Sequence, residues 1–596
     1  MSSDAYDIVI VGGGTAGLVV AARLSEDPDL QVAVLESGED DSSNPNLQTP
    51  GLYAYLRDGP LDWGFKTTYP SPHGDRPLSL ATGRTLGGTS GINGFVFQPS
   101  SESNLDFWTE LGNSGWGFEA MDRAVRKAVT IHGPSLTAPR GTGPIQLVIN
   151  ESEIEASWVN TWNLCFAQLG QSPCDAFSGS QHGPITNFDT VDPVSNKRSF
   201  ATNAYLDPVR SRSNLNLLTG LTVNNIVFKE RIAGADPIAD GVQVTSKDGK
   251  QSIIKARKEV IIAAGVINSP RILELSGIGA RSRLQNLGID CVVDNPHVGE
   301  NFQNHCFSGV VFPIRDDVDT LDAFIRKEPS AVAAAEKTYA SGKGGPIGRS
   351  STLSSAQMPM TDITDEHGMN EIQQLLKEAA GKSIGPSIAT PAFRRAWNSY
   401  IERNLTSKTE SPGRFMFIPC YSPFDVADPS YRAPGNHFTI ITMLSTPLPR
   451  GSVHINSNSF EHSNKNTGMT LDVGFSSSPL DVEVLSRYVM YAEKSLAQLE
   501  PFASLRKPCE NRFTHIEEAR EYVKANTAWT HHFVGTCAMM SQEMGGVVDD
   551  KLRVYGCANL RVCDASIIPV VPRSNPQAVV YGVAELGAEI IKATLV

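Results

Sequence analysis

The chain has 596 residues, of which 40% are hydrophobic and 19% are charged, and its formal net charge is −13. This composition is typical of a globular protein with a large core and excludes a disordered or fibrous chain. The negative charge argues against nucleic acid as a partner, because phosphate contacts require clustered lysines and arginines. No stretch of the sequence is both long and apolar enough to predict a membrane span.

The first predicted elements form a dinucleotide-binding turn. Asp7–Val11 is a short apolar, β-branched run that is typical of a buried parallel strand. Gly12, Gly14 and Gly17 follow it as a Gly-x-Gly-x-x-Gly pattern. The first glycine permits a tight turn, the second lets the backbone approach a pyrophosphate, and the third lets the next helix pack on the strand.

A helix and a second strand complete this unit. The helix is predicted from Thr15 to Ser25, and its N-terminal N–H groups favour phosphate, so we place Thr15 and Ala16 among the cofactor-binding residues. Gln31–Leu35 is predicted as the strand, and Glu36 follows it at the position where an acid can accept a hydrogen bond from a ribose 2′-OH. An acid there disfavours NADP, which leaves FAD and NAD.

The rest of the sequence contains further strand-like and helical patterns, some typical of a nucleotide-binding domain and some not. In chain order they are an irregular region at 45–80, a second glycine-rich segment at 83–98, strand-like runs at 214–228 and 258–264, polar helical stretches at 320–340 and 371–405, a strand at 437–444, and a strand and helix at 559–564 and 576–593. The nine cysteines include no Cys-x-x-Cys pair, which predicts neither a disulfide framework nor a metal site. Because the first strand leaves no room for a signal peptide, we expect a cytoplasmic protein.

Several segments resemble the signatures of the glucose–methanol–choline (GMC) oxidoreductase family. They are Gly83–Asn93, Gly265–Gly279, His297–His305, His532–Met539, Asp564–Ser566 and Ser574–Ala578, and they stand in the family's order. The resemblance implies an α/β fold: a discontinuous, Rossmann-like FAD-binding domain at 1–160, 200–310 and 526–596. Into it is inserted an α+β substrate domain at 311–525, built on an antiparallel sheet.

The resemblance implies FAD as the cofactor and carries its binding positions over to this chain. These positions are Gly12, Gly14, Thr15, Ala16, Gly17, Glu36, Arg84, Gly88, Gly91, Asn93, Gly94, Val223, Asp564, Ala565, Asn575, Pro576 and Gln577. In some family members a histidine just before the position of Asn93 bonds covalently to the flavin. Ile92 stands there in this chain, so we expect non-covalent FAD.

The same resemblance implies two catalytic residues. His532 matches the family's active-site histidine in His-x-Val-Gly-Thr, and Asn575 occupies the second active-site position, which holds His or Asn. The implied reaction removes a hydride from an alcohol carbon while His532 takes the hydroxyl proton as general base. Asn575 cannot titrate and would orient the substrate oxygen. The ordinary histidine pKa of about 6.5 would leave His532 neutral at working pH.

The substrate is less well indicated than the chemistry. Gln98 stands where many members have arginine, and we expect a hydrophobic or aromatic primary alcohol, in specialised metabolism, with O₂ or another acceptor taking the electrons. Aromatic residues that could line its pocket, if they do not simply pack in the core, are Phe65, Phe95, Phe415, Phe417, Trp529 and Phe533.

Three alternatives remain open from the sequence. The fold also hosts FAD-containing enzymes of non-redox chemistry, such as cyanohydrin lyases and a fatty-acid decarboxylase. An NAD-linked dehydrogenase would use the Glu36 fingerprint, but it would leave Gly83–Asn93 and Asp564–Ser566 without a role. A catalytically inactive binding protein is disfavoured, because both active-site positions hold chemically competent residues.

Overall fold

Two large sheets organise the chain, one mainly parallel and one antiparallel. The structure is a computed structural model and describes residues 5–68, 77–133, 140–149, 153–230, 232–380, 389–422, 434–458, 468–474 and 478–595. Both kinds of sheet were expected, and the predicted fold class is confirmed. The assignment of residue ranges to two domains stays a prediction.

The mainly parallel sheet has seven strands and is centred on the first strand of the chain. Across it lie Leu215–Leu218, Val32–Leu35, Ala5–Val11, Gln251–Ile262, Ala239–Ser246 and Leu221–Phe228, while Leu560–Val562 pairs with the end of Gln251–Ile262. Ala5–Val11 is flanked by parallel partners on both sides. Its residues Ile8, Val9 and Ile10 are fully buried, which explains the unbroken apolar run in the sequence.

The strand-like run at 214–228 is divided in the structure. Leu215–Leu218 forms a parallel edge strand beside Val32–Leu35, whereas Leu221–Phe228 belongs to an antiparallel meander. The chain turns between them at Gly220, whose φ of +69° suits glycine. The apolar pattern therefore indicated strand correctly but did not show the turn.

Three helices pack together beside this sheet. Gln577–Thr594, near the end of the chain, contacts both Thr15–Leu24 and Phe118–Ala128. The buried carboxylate of Glu585 accepts hydrogen bonds from Arg23 and from the Tyr205 hydroxyl, the latter at 2.8 Å. The last helix is thus joined by a buried ion pair to the helix that follows the glycine turn.

The antiparallel sheet has six strands. In order these are Ala528–Trp529, Cys306–Ile314, Asn436–Leu444, Gly413–Ile418, Ser354–Gln357 and Gly183–Thr186. Helix Pro479–Lys494 covers one part of it, and a second large core forms around this packing. The sheet brings the strand ending at Trp529 beside Cys306, close to the predicted catalytic segment.

Further elements complete the described chain. The remaining α-helices are Pro45–Gln48, Thr89–Ile92, Glu102–Glu110, Glu153–Gln168, Gly265–Leu275, Arg281–Asn286, Asp322–Ile325, Pro329–Ala340, Gly345–Gly348, Met360–Ile363, Glu366–Ala380, Pro391–Thr406, Phe502–Leu505 and Ile516–Asn526. The remaining strands are Phe65–Lys66, Ser79–Leu80, Val96–Phe97, Val129–Ile131, Ile145–Val148, Phe188–Thr190, Ile278–Gly279, Val293–Asp294, Ser452–Ile455 and Met469–Asp472. Among the described helices, none combines the length and apolar character needed to cross a bilayer.

The glycine turn offers a matched pair of substitutions. A Cβ at Gly17 would lie 2.0 Å from the Gly12 carbonyl oxygen, so we expect Gly17→Ala to lower the free energy of unfolding by about 1–3 kcal/mol. A Cβ at Gly14 meets no atom closer than 3.9 Å, so Gly14→Ala should fold but bind the expected dinucleotide poorly. Denaturant unfolding of the cofactor-free chains and the flavin absorbance of the purified proteins check both. Equal stability of the two variants would contradict this packing role.

Candidate active site

One cavity of about 460 Å³ collects nearly all the predicted site residues. Of the predicted set, those that line it are Gly12, Gly14, Thr15, Ala16, Glu36, Gly88, Asn93, Gly94, Val223, His532, Asp564, Ala565, Asn575, Pro576 and Gln577. The cavity therefore lies between strand ends, glycine turns and helix starts that come from distant parts of the chain. Gly17, Arg84 and Gly91 do not line it.

The two glycine-rich turns touch through their backbones. The Gly87 N–H donates to the Gly13 carbonyl at 2.8 Å, and the Ser90 N–H donates to the Thr15 hydroxyl oxygen at 3.2 Å. Gly88 has a φ of +51°, and a Cβ there would lie 2.8 Å from the Cα of Gly14. Only glycine permits this approach, which explains why two glycine-rich segments occur in the sequence.

The Glu36 carboxylate holds the first glycine turn by hydrogen bonds and also lines the cavity. Its carboxylate accepts hydrogen bonds from the Gly13 N–H at 2.9 Å and from the Gly38 N–H at 2.7 Å. Burial raises the pKa of Glu36 to about 7, although the two N–H groups and the nearby Arg84 oppose that rise. The carboxylate thus shapes the turn as well as facing the cavity.

Asp564 fixes the helix that begins at Gly265. Its carboxylate accepts hydrogen bonds from the Gly265 N–H at 2.8 Å, the Ser269 hydroxyl at 2.6 Å and the Ser566 N–H at 2.7 Å. These contacts also hold the backbone of Ala565 against the cavity.

Asn93 joins three elements at the middle of the cavity. Its Nδ2 donates to Gln577 Oε1 at 3.0 Å, and its Oδ1 accepts from the Phe95 N–H and from Arg198. Arg198 is fully buried and also donates to the Leu47 carbonyl, so it holds the segment around Asn93 in place.

The three predicted residues outside the cavity have visible packing roles. Gly17 lies against Gly12, as the turn requires. A Cβ at Gly91 would face Leu47, and the guanidinium of Arg84 stacks over the Trp63 ring at 4.9 Å.

His532 and Asn575 meet on the wall of the same cavity. Asn575 Nδ2 lies 3.2 Å from His532 Nε2. His532 is held by its backbone N–H, which donates to Asn304 Oδ1 at 2.9 Å, and by its Nδ1, which lies 2.8 Å from the Nδ1 of His305. The predicted catalytic pair is therefore assembled, and residues of the His297–His305 segment support it.

A buried arginine from the antiparallel sheet completes this cluster. Arg414 donates to Asn575 Oδ1 at 2.7 Å and to Gln98 Oε1 at 2.6 Å. It is 1% exposed, and within the described ranges no carboxylate forms an ion pair with it. The departure at Gln98 thus has a structural counterpart, because an arginine there would face the Arg414 guanidinium.

The cluster favours a neutral His532. Burial lowers the pKa of His532 well below 6.5, and His305, Arg414 and His531 lower it further. Burial also lowers the pKa of His305 to about 3 and that of His531 to about 4. A base is useful only when unprotonated, so these shifts suit proton abstraction.

Apolar and aromatic side chains line the cavity together with the predicted catalytic pair. Of the aromatic residues considered from the sequence, Phe95, Trp529 and Phe533 line the cavity, joined there by Tyr53, Trp63, Phe307, Met416 and Ile441. Phe65, Phe415 and Phe417 pack in hydrophobic cores instead.

The cavity fits a flavin dinucleotide. The helix Thr15–Leu24 begins at Gly14 without a side-chain cap, which leaves its first N–H groups available to a diphosphate. At Gly265, which also lines the cavity, no atom lies within 4 Å of a Cβ position, so the cradle is open there. Ile92 lines it with an aliphatic side chain, which offers no atom for covalent attachment.

Family models of the GMC oxidoreductases match residues 6–307 and 447–584. The chain belongs to the GMC oxidoreductase family. This GMC oxidoreductase is 32% identical to Dehydrogenase mpl7 of Monascus purpureus, with 98% of this chain and 96% of the relative covered.

Solved structures agree with this assignment. The crystal structure of formate oxidase aligns with a TM-score of 0.84 at 27% identity, over 99% of this chain and 98% of that one. A fungal aryl-alcohol oxidase aligns with a TM-score of 0.80 at 24% identity over 99% of both chains, which shows the shared fold. The prediction of an FAD-dependent oxidoreductase is confirmed.

Sequence reasoning missed three side chains that contact the predicted site residues. Arg414 lies in the inserted region 311–525, which contains none of the family signatures, and Arg198 lies outside every motif. His305 stood inside a recognised motif, but its contact with His532 joins positions 227 residues apart in the chain. Only the fold brings these side chains to the cavity.

Asp564→Ala tests the support of the cavity wall. It leaves two buried N–H groups and a hydroxyl without their acceptor, so we expect a loss of about 2–4 kcal/mol in the free energy of unfolding and weakened FAD retention. Denaturant unfolding and the ratio of flavin to protein absorbance measure the two effects. Wild-type values for both would show that these contacts carry no net stabilisation.

Proposed function

We propose that this GMC oxidoreductase oxidises a primary alcohol with a hydrophobic or aromatic body to the aldehyde. The observation that supports it most directly is the pairing of His532 Nε2 with Asn575 Nδ2 at 3.2 Å on the cavity wall. A base beside a neutral hydrogen-bond donor suits a hydroxyl group, which has one proton to give and lone pairs to accept. The aromatic surroundings of Trp529 and Phe533 suit an apolar substrate body.

In the proposed reaction His532 and Asn575 divide the work on the substrate hydroxyl. The lone pair of His532 Nε2 accepts the hydroxyl proton as the carbon–hydrogen bond breaks. Asn575 donates an N–H to the same oxygen and so fixes its position. FAD, when bound, supplies the acceptor for the departing hydride.

The remaining site residues hold the cofactor in this proposal. The turn at Gly12–Gly14 and the start of the following helix would bind the diphosphate, and Glu36 the adenosine ribose. Val223 lies where the adenine edge is expected. Asn93 and Asp564 would fix the segments that face the flavin end, without a covalent bond from Ile92.

The first experiment is the visible spectrum of the purified protein, mixed without oxygen with benzylic and aliphatic primary alcohols. Bleaching of the flavin bands supports the proposal, and air then separates an oxidase from a dehydrogenase by the rate of recovery. Secondary alcohols and formate serve as contrast substrates. Bleaching by these alone would overturn the alcohol assignment, and no bleaching across a broad panel would favour a non-redox use of the flavin.

Replacing the base gives a second test. We expect His532→Ala to lower the rate of flavin bleaching by an alcohol about 100-fold or more, because the proposal assigns the hydroxyl proton to His532. His437→Ala removes a histidine that is also buried but does not line the cavity, and it controls for loss of packing. Similar rates in wild type and His532→Ala would remove His532 from the base role.

The pH dependence follows from the lowered pKa of His532. The neutral fraction of a base rises with pH through its pKa, and this pKa lies below 6.5. We therefore expect the limiting rate of flavin bleaching to be level above pH 6.5 and to fall only at more acidic pH. Stopped-flow measurement across pH checks this, and a rate still rising above pH 7 would contradict it.

A further inference from the structure

Four side chains form one hydrogen-bonded row through the catalytic pair. Arg414 contacts Asn575, Asn575 contacts His532, and His532 contacts His305, with distances of 2.7, 3.2 and 2.8 Å. Only His532 and Asn575 line the cavity, so the two end members act from behind them. We call these four residues the relay.

The Arg414 end sets the orientation of the Asn575 amide. A guanidinium has only donors, so the amide oxygen must face it, as it does at 2.7 Å. The amide nitrogen is then directed at His532 Nε2. Because that nitrogen is a donor, Nε2 must be the unprotonated nitrogen of the imidazole.

The His305 end is consistent with this result. Burial lowers the pKa of His305 to about 3, so its ring is neutral and carries one proton. With Nε2 unprotonated, neutral His532 carries its proton on Nδ1, which lies 2.8 Å from His305 Nδ1. His305 Nδ1 is then the acceptor, and the proton of His305 is on its Nε2.

We propose that Arg414 and His305 are positioning residues that lock His532 in the tautomer with a protonated Nδ1 and an unprotonated Nε2. In this state Nε2 takes the substrate proton without a prior proton shift, once the substrate hydroxyl replaces the Asn575 N–H as its hydrogen-bond donor. In the opposite tautomer the N–H of His532 Nε2 would face the N–H of Asn575 Nδ2, and neither group could accept a hydrogen bond from the other. This inference rests on the proposed function, since the lone pair matters only if His532 is the base.

The tautomer can be measured without substrate. Two-bond ¹H–¹⁵N correlation spectra of the FAD-loaded enzyme with ¹⁵N-labelled histidine distinguish protonated from unprotonated ring nitrogens. The signals of His532 are those lost in His532→Gln. We expect a protonated Nδ1 and an unprotonated Nε2, and a protonated Nε2 would overturn the proposal. Failure of the proposed function shows instead as absent bleaching by alcohols.

Variants at His305 test that end of the relay. His305→Leu removes the acceptor, and we expect the limiting rate of flavin bleaching to fall about 10- to 100-fold with little change in substrate affinity. His305→Gln can accept from His532 through its amide oxygen, so it should recover most of the rate. Equal rates in the two variants would contradict the relay.

Variants at Arg414 test the other end. Arg414→Met removes both the donor to Asn575 and a positive charge near His532, which is otherwise faced by His305 and His531. We expect a lower limiting rate and an acidic fall in rate that moves to higher pH. Arg414→Lys keeps a cationic donor and should lie closer to wild type in both respects. A pH profile identical to wild type in Arg414→Met would overturn the assignment. If that variant does not fold, the ¹H–¹⁵N correlation spectrum of the wild-type enzyme decides which tautomer His532 adopts.

Discussion

The contact between the glycine turns is the constraint on which the rest of the site depends. Gly17 brings the first helix onto the turn at Gly12, and Gly88 brings the second glycine-rich segment onto Gly14. A side chain at Gly17 or Gly88 would meet backbone atoms, so neither position could be substituted without moving an element. The cavity has its shape because these segments can approach so closely.

Beyond the glycine turns, the cavity extends to residues of the antiparallel sheet. His532 and Asn575 belong to segments near the end of the chain, while Arg414 lies on Gly413–Ile418 of the antiparallel sheet. The predicted catalytic pair therefore lines a cavity to which both large sheets contribute residues. A buried guanidinium without a carboxylate partner in the described ranges is unfavourable by itself, and the hydrogen bonds that Arg414 donates to Asn575 and Gln98 offset part of this cost.

The sequence allowed much of this to be predicted, because the relevant signals are local. Gly12, Gly14 and Glu36 lie in one short unit with a known geometry, and His532 stands in a recognisable motif. The turn at Gly220 and the packing role of Gly91 were not predicted, since each depends on a conformation or a distant neighbour. Arg414 and His305 act through contacts between remote segments, which hydrophobic periodicity cannot indicate.

The ion pair of Glu585 with Arg23 has a consequence for how the protein is made. The first helix emerges early from the ribosome, but its buried partner lies in the last helix, and Leu560–Val562 completes the sheet almost as late. The strand Ala5–Val11 can pair with Val32–Leu35 and Gln251–Ile262 as soon as these are made. The side of Thr15–Leu24 that packs on Gln577–Thr594 stays uncovered until that last helix is made, so the N-terminal unit completes its packing late.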